Sequence, residues 1–193
     1  MIFHLRDRGW CGWAQFLRKQ SSGSWESPST LQARRRPSLR IAVGSDHAGF
    51  HLKQQINALL EELGHEYYDF GCDDPGAVDY PDIAQPVAEA VASGEFERGI
   101  LVCGTGAGMA IAANKVQGIR AVVANDIFTA HQSREHLDAQ VLCLGERVVG
   151  PGMAMEIVRA YLDADFEGGR HRRRLEKIQR LEDRSVTTSS SPQ

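Results

Sequence analysis

Short apolar stretches alternate along the chain with longer segments in which apolar residues recur every three or four positions. The short stretches are typical of buried strands, and we predict five of them, at residues 40–44, 66–70, 99–103, 119–123 and 141–144. The longer segments predict helices at residues 49–63, 80–93, 106–115, 126–136, 150–162 and 170–184. Gly64 follows the first of these helices directly, as a glycine at a helix C-terminus commonly does.

Strands that are apolar throughout and are separated by helices usually form parallel sheets covered on both faces. The alternation therefore predicts an α/β fold, a doubly wound parallel five-stranded sheet with helices on both faces in a three-layer sandwich. Such folds bind their ligands at the carboxyl ends of the strands. The residues that follow each predicted strand are therefore the first candidates for chemistry.

Residues 1–38 and 187–193 lack this periodicity. The first segment contains all three tryptophans, the run Arg34-Arg35-Arg36-Pro37 and few acidic residues. Its composition is typical of an organelle transit peptide, and a mis-assigned upstream start would produce an equally foreign segment. We predict a disordered or artefactual extension at residues 1–38, one folded domain at residues 39–186 and a disordered tail at residues 187–193.

Composition and charge exclude several classes of protein. The 193 residues are 42% hydrophobic, and no apolar run is long enough to span a bilayer, so we expect no membrane partner. The four cysteines lie far apart without a C-x-x-C pair, which predicts neither a metal site nor a disulfide framework and favours a reducing, cytoplasmic setting. Basic residues concentrate near both ends of the chain, where they flank a fold and do not indicate a nucleic-acid site.

The third predicted strand leads into a turn of alternating glycines. Cys103 ends the strand, and Gly104, Gly106 and Gly108 follow at every second position before an alanine-rich helix. Backbone N–H groups in such a turn converge on an anion or a developing oxyanion. A helix N-terminus also favours the thiolate form of a neighbouring cysteine. This pattern indicates that Cys103 is a base that removes a proton from carbon, beside a cradle for an oxyanion.

Two plainer interpretations of the same turn stay open from the residues alone. A cysteine at the end of a buried strand is often only a small core residue. The glycine spacing also resembles a dinucleotide-binding turn, with Asp126 as the acidic residue that would hold a ribose. In a dinucleotide-binding fold, however, the turn follows the first strand and not the third.

Polar side chains also follow the first and fifth predicted strands. Asp46 and His47 lie in a glycine-flanked loop after the first strand, where they are either an acid–base pair or a capping turn. Arg147 lies just after the fifth strand, at the same predicted edge of the sheet.

A third group of polar residues lies on the last predicted helices. Arg170 and Arg174 are one turn apart on one helix face, so both guanidiniums are able to address one phosphate, unless they only form a solvated basic face. His136 comes at the end of its predicted helix, where the default expectation is a surface histidine.

Taken together, six segments of the chain resemble the ribose-5-phosphate isomerase B family, which shares its fold with the two-subunit galactose-6-phosphate isomerases. The likeness spans residues 40 to about 184 in the family's order, at residues 41–50, 79–81, 103–108, 113–121, 133–136 and 167–171. It implies an aldose–ketose isomerase that interconverts ribose 5-phosphate and ribulose 5-phosphate without a cofactor or metal. It also implies a homodimer with shared active sites, or a tetramer of two such dimers, in which the C-terminal helix reaches to the partner subunit.

The resemblance also implies a role for individual residues. Cys103 would move a proton between C1 and C2, the glycine turn and the Thr105 hydroxyl would hold the enediolate oxygens, and His136 would open the furanose ring. Arg147, Arg170 and Arg174 would bind the phosphate. The full set of implied substrate-binding residues is Asp46, His47, Tyr80, Gly104, Gly106, Ala107, Gly108, Leu137, Arg147, Arg170 and Arg174.

Leu137 departs from the family pattern, which usually has an asparagine directly after the ring-opening histidine. The difference leaves the substrate open, and a tetrose, hexose or deoxy sugar phosphate is the alternative within the same class. Retention of His136 and of both Arg170 and Arg174 favours a pentose phosphate. A sugar-phosphate-binding protein without catalysis is the alternative of another class, but it would have no use for a base at Cys103.

Overall fold

The predicted alternation of strands and helices is present in the computed structural model, which describes residues 37–72 and 76–189. The strands are β1 (Arg40–Ser45), β2 (Glu66–Asp69), β3 (Arg98–Cys103), β4 (Ala121–Val123) and β5 (Val141–Gly145). The helices are α1 (Phe50–Leu63), α2 (Tyr80–Ala92), α3 (Ala107–Ala113), α4 (Ile127–Leu137), α5 (Pro151–Asp163) and α6 (Arg170–Ser189), with one turn of 3-10 helix (His47–Gly49) before α1.

All five strands are parallel, and their order across the sheet is β2-β1-β3-β5-β4. From β1 the chain moves outward to β2 and then crosses back to β3, so the order reverses between β1 and β3. The loops after these two strands therefore diverge to opposite faces and leave a crevice at the carboxyl edge. Ser45 pairs with Val102, and Cys103 pairs with Gly145, so β1, β3 and β5 end side by side.

Helices cover both faces of the sheet, which confirms the predicted fold class. Ile56 of α1 and Ile157 of α5 are fully buried in the cluster on one face. Val87 of α2 and Met109 of α3 are fully buried in the cluster on the other face. Because both faces are covered, the inner strands are buried along most of their length, which explains why their sequences are continuously apolar. None of the described helices is both long and apolar enough to cross a membrane.

The end of α6 corrects one expectation from the sequence. This helix continues to Ser189, so residues 185–189 extend the helix that was expected to end at residue 184. The chain has no glycine or proline between Gly169 and Pro192, so nothing in the sequence breaks the helix earlier. The predictions for residues 1–36 and 190–193 lie outside the described residues.

Candidate active site

Cys103 ends β3 and is wrapped by the glycine turn that leads into α3. Only 5% of Cys103 is exposed, and its Sγ accepts a hydrogen bond from the Gly106 N–H at 3.1 Å. Gly106 has φ +80°, and an added Cβ would lie 3.1 Å from the Leu144 backbone, so the turn requires glycine there. N–H donors aimed at one atom stabilise negative charge on it. The glycine turn therefore directs at least one N–H donor at the sulfur.

Two larger side chains lie directly against this turn. A Cβ added to Gly104 would lie 3.5 Å from Cδ of Arg147, so the Arg147 side chain crosses over the residue that follows Cys103. A Cβ added to Gly108 would lie 3.0 Å from the ring of Tyr80. Tyr80 is 42% exposed, so its ring forms part of an open wall beside the turn. Tyr80 and Arg147, two of the predicted site residues, thus both lie against the glycine turn that wraps Cys103.

Asp46 and His47 occupy the neighbouring loop after β1. The Asp46 N–H donates to the Val102 carbonyl at 3.2 Å, which joins this loop to β3 next to Cys103. Oδ1 of Asp46 accepts from the N–H groups of Ala48 and Gly49 at 2.9 and 3.1 Å. Asp46 therefore acts as a helix cap, one of the two interpretations open from the sequence. His47 is exposed at the same edge.

A buried lysine, which the sequence did not single out, ties the end of β2 to α1. Lys53 of α1 is fully buried, and its Nζ donates to Asp69 at 2.7 Å and to the Cys72 carbonyl at 2.8 Å. The Gly71 N–H donates to the same carboxylate at 2.9 Å. These bonds tie the end of β2 and the start of the loop toward α2 to α1.

A second group of predicted residues lies between the end of α4 and the start of α6. The rings of His136 and His171 stack with centroids 4.0 Å apart and planes 8° apart. Oε2 of Glu167 lies 3.9 Å from Nε2 of His136 and 3.4 Å from Nε2 of His171. Nε of Arg170 donates to Nε2 of His171 at 3.1 Å. We call His136, Glu167, Arg170 and His171 the histidine cluster.

Leu137 and Arg174 border this cluster. Leu137 is 40% exposed and lines a groove of about 560 Å³ together with Leu175 and Ile178 of α6. Arg174 is exposed one turn after Arg170 on α6. The leucine thus continues the apolar lining that α6 provides, whereas the two arginines make the adjoining surface positive.

The histidine cluster and Cys103 lie at opposite edges of the sheet. Cys103 pairs with Gly145 at the carboxyl end of β5. His136 is in the last turn of α4, and only residues 138–140 separate that helix from Val141 at the amino end of β5. At about 3.3 Å per residue, the length of β5 alone is about 13 Å. One chain therefore does not bring its own His136 to its own Cys103.

Burial shifts the pKa of two side chains, His171 in the histidine cluster and Cys143 next to Cys103. Burial, and then the charges of His136 and Arg170, lower the pKa of His171. Since Nε2 of His171 accepts from Arg170, the neutral ring carries its proton on Nδ1, which has no hydrogen-bond partner among the described residues. Burial also raises the pKa of the fully buried Cys143 thiol far above its ordinary value. Cys143 is therefore an inert neighbour of Cys103.

The histidine cluster contains one group of atoms with the spacing of a metal site. Among the described residues, one ligand atom each from His136, Glu167 and His171 lies within 4.8 Å of the others. However, the lone pair that His171 would offer to a metal already accepts from Arg170. The guanidiniums of Arg170 and Arg174 also oppose a cation electrostatically. The arrangement is that of a hydrogen-bonded cluster beside two exposed arginines.

Glu167 and His171 had no role in the sequence interpretation, although both lie in the segment 167–171 that supports the family resemblance. The sequence signal for His171 is a single histidine in a run of arginines. Its burial could not be inferred without knowing that α6 turns this position toward α4.

The parallel sheet, covered by helices on both faces, makes the protein a doubly wound α/β fold with a cysteine and a glycine turn at its carboxyl edge. Comparison of the chain with known proteins identifies the class of enzyme. The family model described as Ribose/Galactose Isomerase matches residues 41–178. The chain belongs to this family, the sugar-phosphate isomerases related to ribose-5-phosphate isomerase B. The family resemblance found in the sequence is thereby confirmed.

Individual relatives agree on the family and differ in substrate. The chain is 52% identical over 145 residues to ribose-5-phosphate isomerase B of Escherichia coli, which covers 75% of this chain and 97% of that one. It is 47% identical over 141 residues to D-erythrulose-4-phosphate isomerase of Pectobacterium atrosepticum, covering 72% and 93%. A solved structure of ribose-5-phosphate isomerase B from Clostridium thermocellum matches with a TM-score of 0.75 and 52% identity, over 76% of this chain and 99% of that one.

Proposed function

We propose that this protein interconverts ribose 5-phosphate and ribulose 5-phosphate, in an active site that two chains build together. The position of Cys103 carries this proposal. Its thiol lies at the carboxyl end of the central strand, accepts the Gly106 N–H at 3.1 Å and is bordered by Arg147 and Tyr80. A positioned base beside N–H donors is the arrangement that proton abstraction next to a carbonyl needs.

In the open-chain aldose, the Cys103 thiolate removes the proton from C2. The electron pair of that C–H bond forms the C1=C2 double bond, and the carbonyl oxygen O1 takes up the negative charge. The Thr105 hydroxyl and the N–H groups of the glycine turn other than that of Gly106, which donates to Sγ of Cys103, donate to the enediolate oxygens. One well-placed donor of this kind contributes roughly 3–4 kcal/mol. The O2 proton passes to O1, and Cys103 returns its proton to C1, which leaves the ketone at C2.

The ring-opening and phosphate-binding groups come from a second chain in this proposal. His136 lies at the amino edge of the sheet, opposite the carboxyl edge that contains Cys103. A two-fold dimer is the simplest assembly that places the carboxyl edge of each chain against the amino edge of its partner. His136 of the partner subunit then donates a proton to the furanose ring oxygen. Arg170 of the partner subunit and Arg174 of the partner subunit bind the phosphate together with Arg147.

Exposed apolar side chains support this association. Ile111 on α3, three residues after Gly108, is 64% exposed. Ile178 and Leu181 on α6 are 47% and 65% exposed. Apolar groups clustered beside both halves of the site are typical of surfaces that are covered in an assembly.

A tetrose phosphate is the second candidate substrate, and Leu137 is the observation that favours it. Its side chain cannot hydrogen-bond a sugar hydroxyl, so it gives no advantage to a sugar with an additional hydroxyl. The D-erythrulose-4-phosphate isomerase to which the chain is 47% identical acts, by its name, on a four-carbon sugar. Comparing kcat/KM for ribose 5-phosphate with kcat/KM for four-carbon and six-carbon sugar phosphates decides between the substrates.

Subunit mixing tests the two-chain site. We expect a Cys103→Ala chain mixed with an Arg170→Ala chain to recover about a quarter of the wild-type rate, because half of the molecules are heterodimers with one intact site each. Mixing Cys103→Ala with Arg147→Ala is the matched control, since both changes then affect the same half of the site and no intact site forms. Equal rates from both mixtures, with subunit exchange confirmed by mass spectrometry, would contradict the shared site.

A further inference from the structure

We propose that His171 is a positioning residue that holds two groups of the site at once, the His136 ring by stacking and the Arg170 guanidinium through a hydrogen bond. The roles of those two groups rest on the function proposed above, whereas the geometry around His171 stands on its own. Nothing in the reaction requires His171 to contact the sugar.

The burial of His171 sets it apart from its helix. Only 2% of His171 is exposed, while Arg170, Arg172, Arg173 and Arg174 around it are all exposed. The His171 N–H donates to the Gly168 carbonyl at 3.0 Å, which fixes the first turn of α6. Burying an imidazole costs free energy unless its polar atoms find partners. Of the two ring nitrogens, Nε2 accepts from Arg170 and Nδ1 has no partner among the described residues, while the ring face stacks on His136 of α4.

The hydrogen bond to Arg170 orients a guanidinium. Nε2 of His171 accepts from Nε of Arg170 at 3.1 Å, and burial keeps His171 in the neutral form that is able to accept. The bond engages Nε and not the two terminal Nη groups of Arg170. Those two groups form the fork that a phosphate binds through two parallel hydrogen bonds. His171 thus restricts the flexible Arg170 side chain without competing with the phosphate.

The stacking contact orients an imidazole. With centroids 4.0 Å apart and planes at 8°, the His171 ring covers one face of His136. Glu167 Oε2 lies 3.9 Å from Nε2 of His136, and the Glu167 backbone N–H donates to the Glu135 carbonyl at 3.0 Å, so the backbone at Glu167 is held against α4. The His136 side chain stays 32% exposed. One face is therefore fixed while part of the ring remains accessible to a sugar.

The two contacts can be separated by substitution. His171→Phe keeps a flat ring for stacking but removes the acceptor, so KM for the sugar phosphate should rise about tenfold while kcat changes little. His171→Gln keeps an acceptor at the position of Nε2 but removes the ring. It should lower kcat for the cyclic sugar about tenfold and leave KM close to wild type. Arg173→Ala, an exposed change on the same helix, is the matched control and should change neither constant.

Two further measurements do not depend on which sugar is the substrate. Calorimetric titration with inorganic phosphate should show weaker binding to His171→Phe than to His171→Gln. The NMR signal of the His136 ring should shift in His171→Gln, because the ring current of the stacked neighbour is lost, and should shift much less in His171→Phe. If these two results appear but no pentose phosphate is isomerised, the proposed function fails and the positioning role stands. If both variants lower kcat and raise KM to the same extent, or if both have wild-type values, the positioning role of His171 is overturned.

Discussion

Gly145 allows the end of β5 to lie directly against the glycine turn, so Gly145→Ala is a direct test of how tightly the site is packed. A Cβ at Gly145 would lie 2.7 Å from both Cα and C of Thr105 and 2.9 Å from its carbonyl oxygen. All three atoms belong to the backbone, so no side-chain rotation relieves the contact. Reaching an ordinary carbon–carbon separation of about 3.5 Å requires a shift of about 0.8 Å.

That shift has to move the glycine turn away from β5, because Gly145 is itself held in register opposite Cys103. Overpacking of this kind costs about 1–3 kcal/mol, which lowers Tm by about 4–8 °C at the middle of the range. A misplacement of about 1 Å in a catalytic site costs up to about 100-fold in rate, so kcat/KM should fall by about 10- to 100-fold.

The assay compares kcat/KM for ribose 5-phosphate with Tm measured by circular dichroism. Gly152→Ala is the matched control, because nothing lies within 4 Å of a Cβ added there in the first turn of α5. It should leave activity unchanged and Tm unchanged or slightly higher. Wild-type activity and Tm in Gly145→Ala would refute the conclusion that the Thr105 backbone sets the geometry around Cys103.

Two more predictions concern a thiol and two imidazoles. Cys103→Ala should abolish isomerisation and leave Tm within a few degrees of wild type. In the wild-type protein, iodoacetamide should alkylate Cys103 faster than the fully buried Cys143, as measured by peptide mass spectrometry, and a sugar phosphate should protect Cys103. Equal labelling of both cysteines would contradict the assignment of Cys103 as the base. Burial is the main cause that lowers the pKa of both His65 and His171 below the ordinary 6.5, so the unfolded chain takes up protons first on acidification. The free energy of unfolding, measured in urea, should therefore fall as the pH drops below about 6.5, and a constant value between pH 7.5 and pH 5.5 would show that these rings stay equally protonated in both states.

The sequence by itself determined the order and type of the elements and the residues at the strand ends. These features follow from local physics, since an apolar run of five residues between helical segments has few other solutions than a buried parallel strand. The position of Cys103 at the end of β3 follows from the same pattern. So does the glycine at position 106, because only glycine adopts its φ of +80° without strain.

The role of Asp46 shows where such local patterns stop being sufficient. An aspartate after a strand is equally compatible with a cap and with an acid–base group, and the choice depends on where the next two N–H groups point. The structure directs the N–H groups of Ala48 and Gly49 at its carboxylate. One hydrogen-bonded loop geometry thus decided what the residue type left open.

Only the tertiary structure decided which predicted residues meet. Strand β5 lies between β3 and β4, and α4 runs back along the sheet to the amino end of β5, so His136 ends up about 13 Å or more from Cys103. The burial of His171 likewise depends on α6 packing against α4 and not on any periodicity within α6. Distances between residues far apart in the chain follow from strand order and helix direction, and a one-dimensional pattern of apolar and polar positions contains neither.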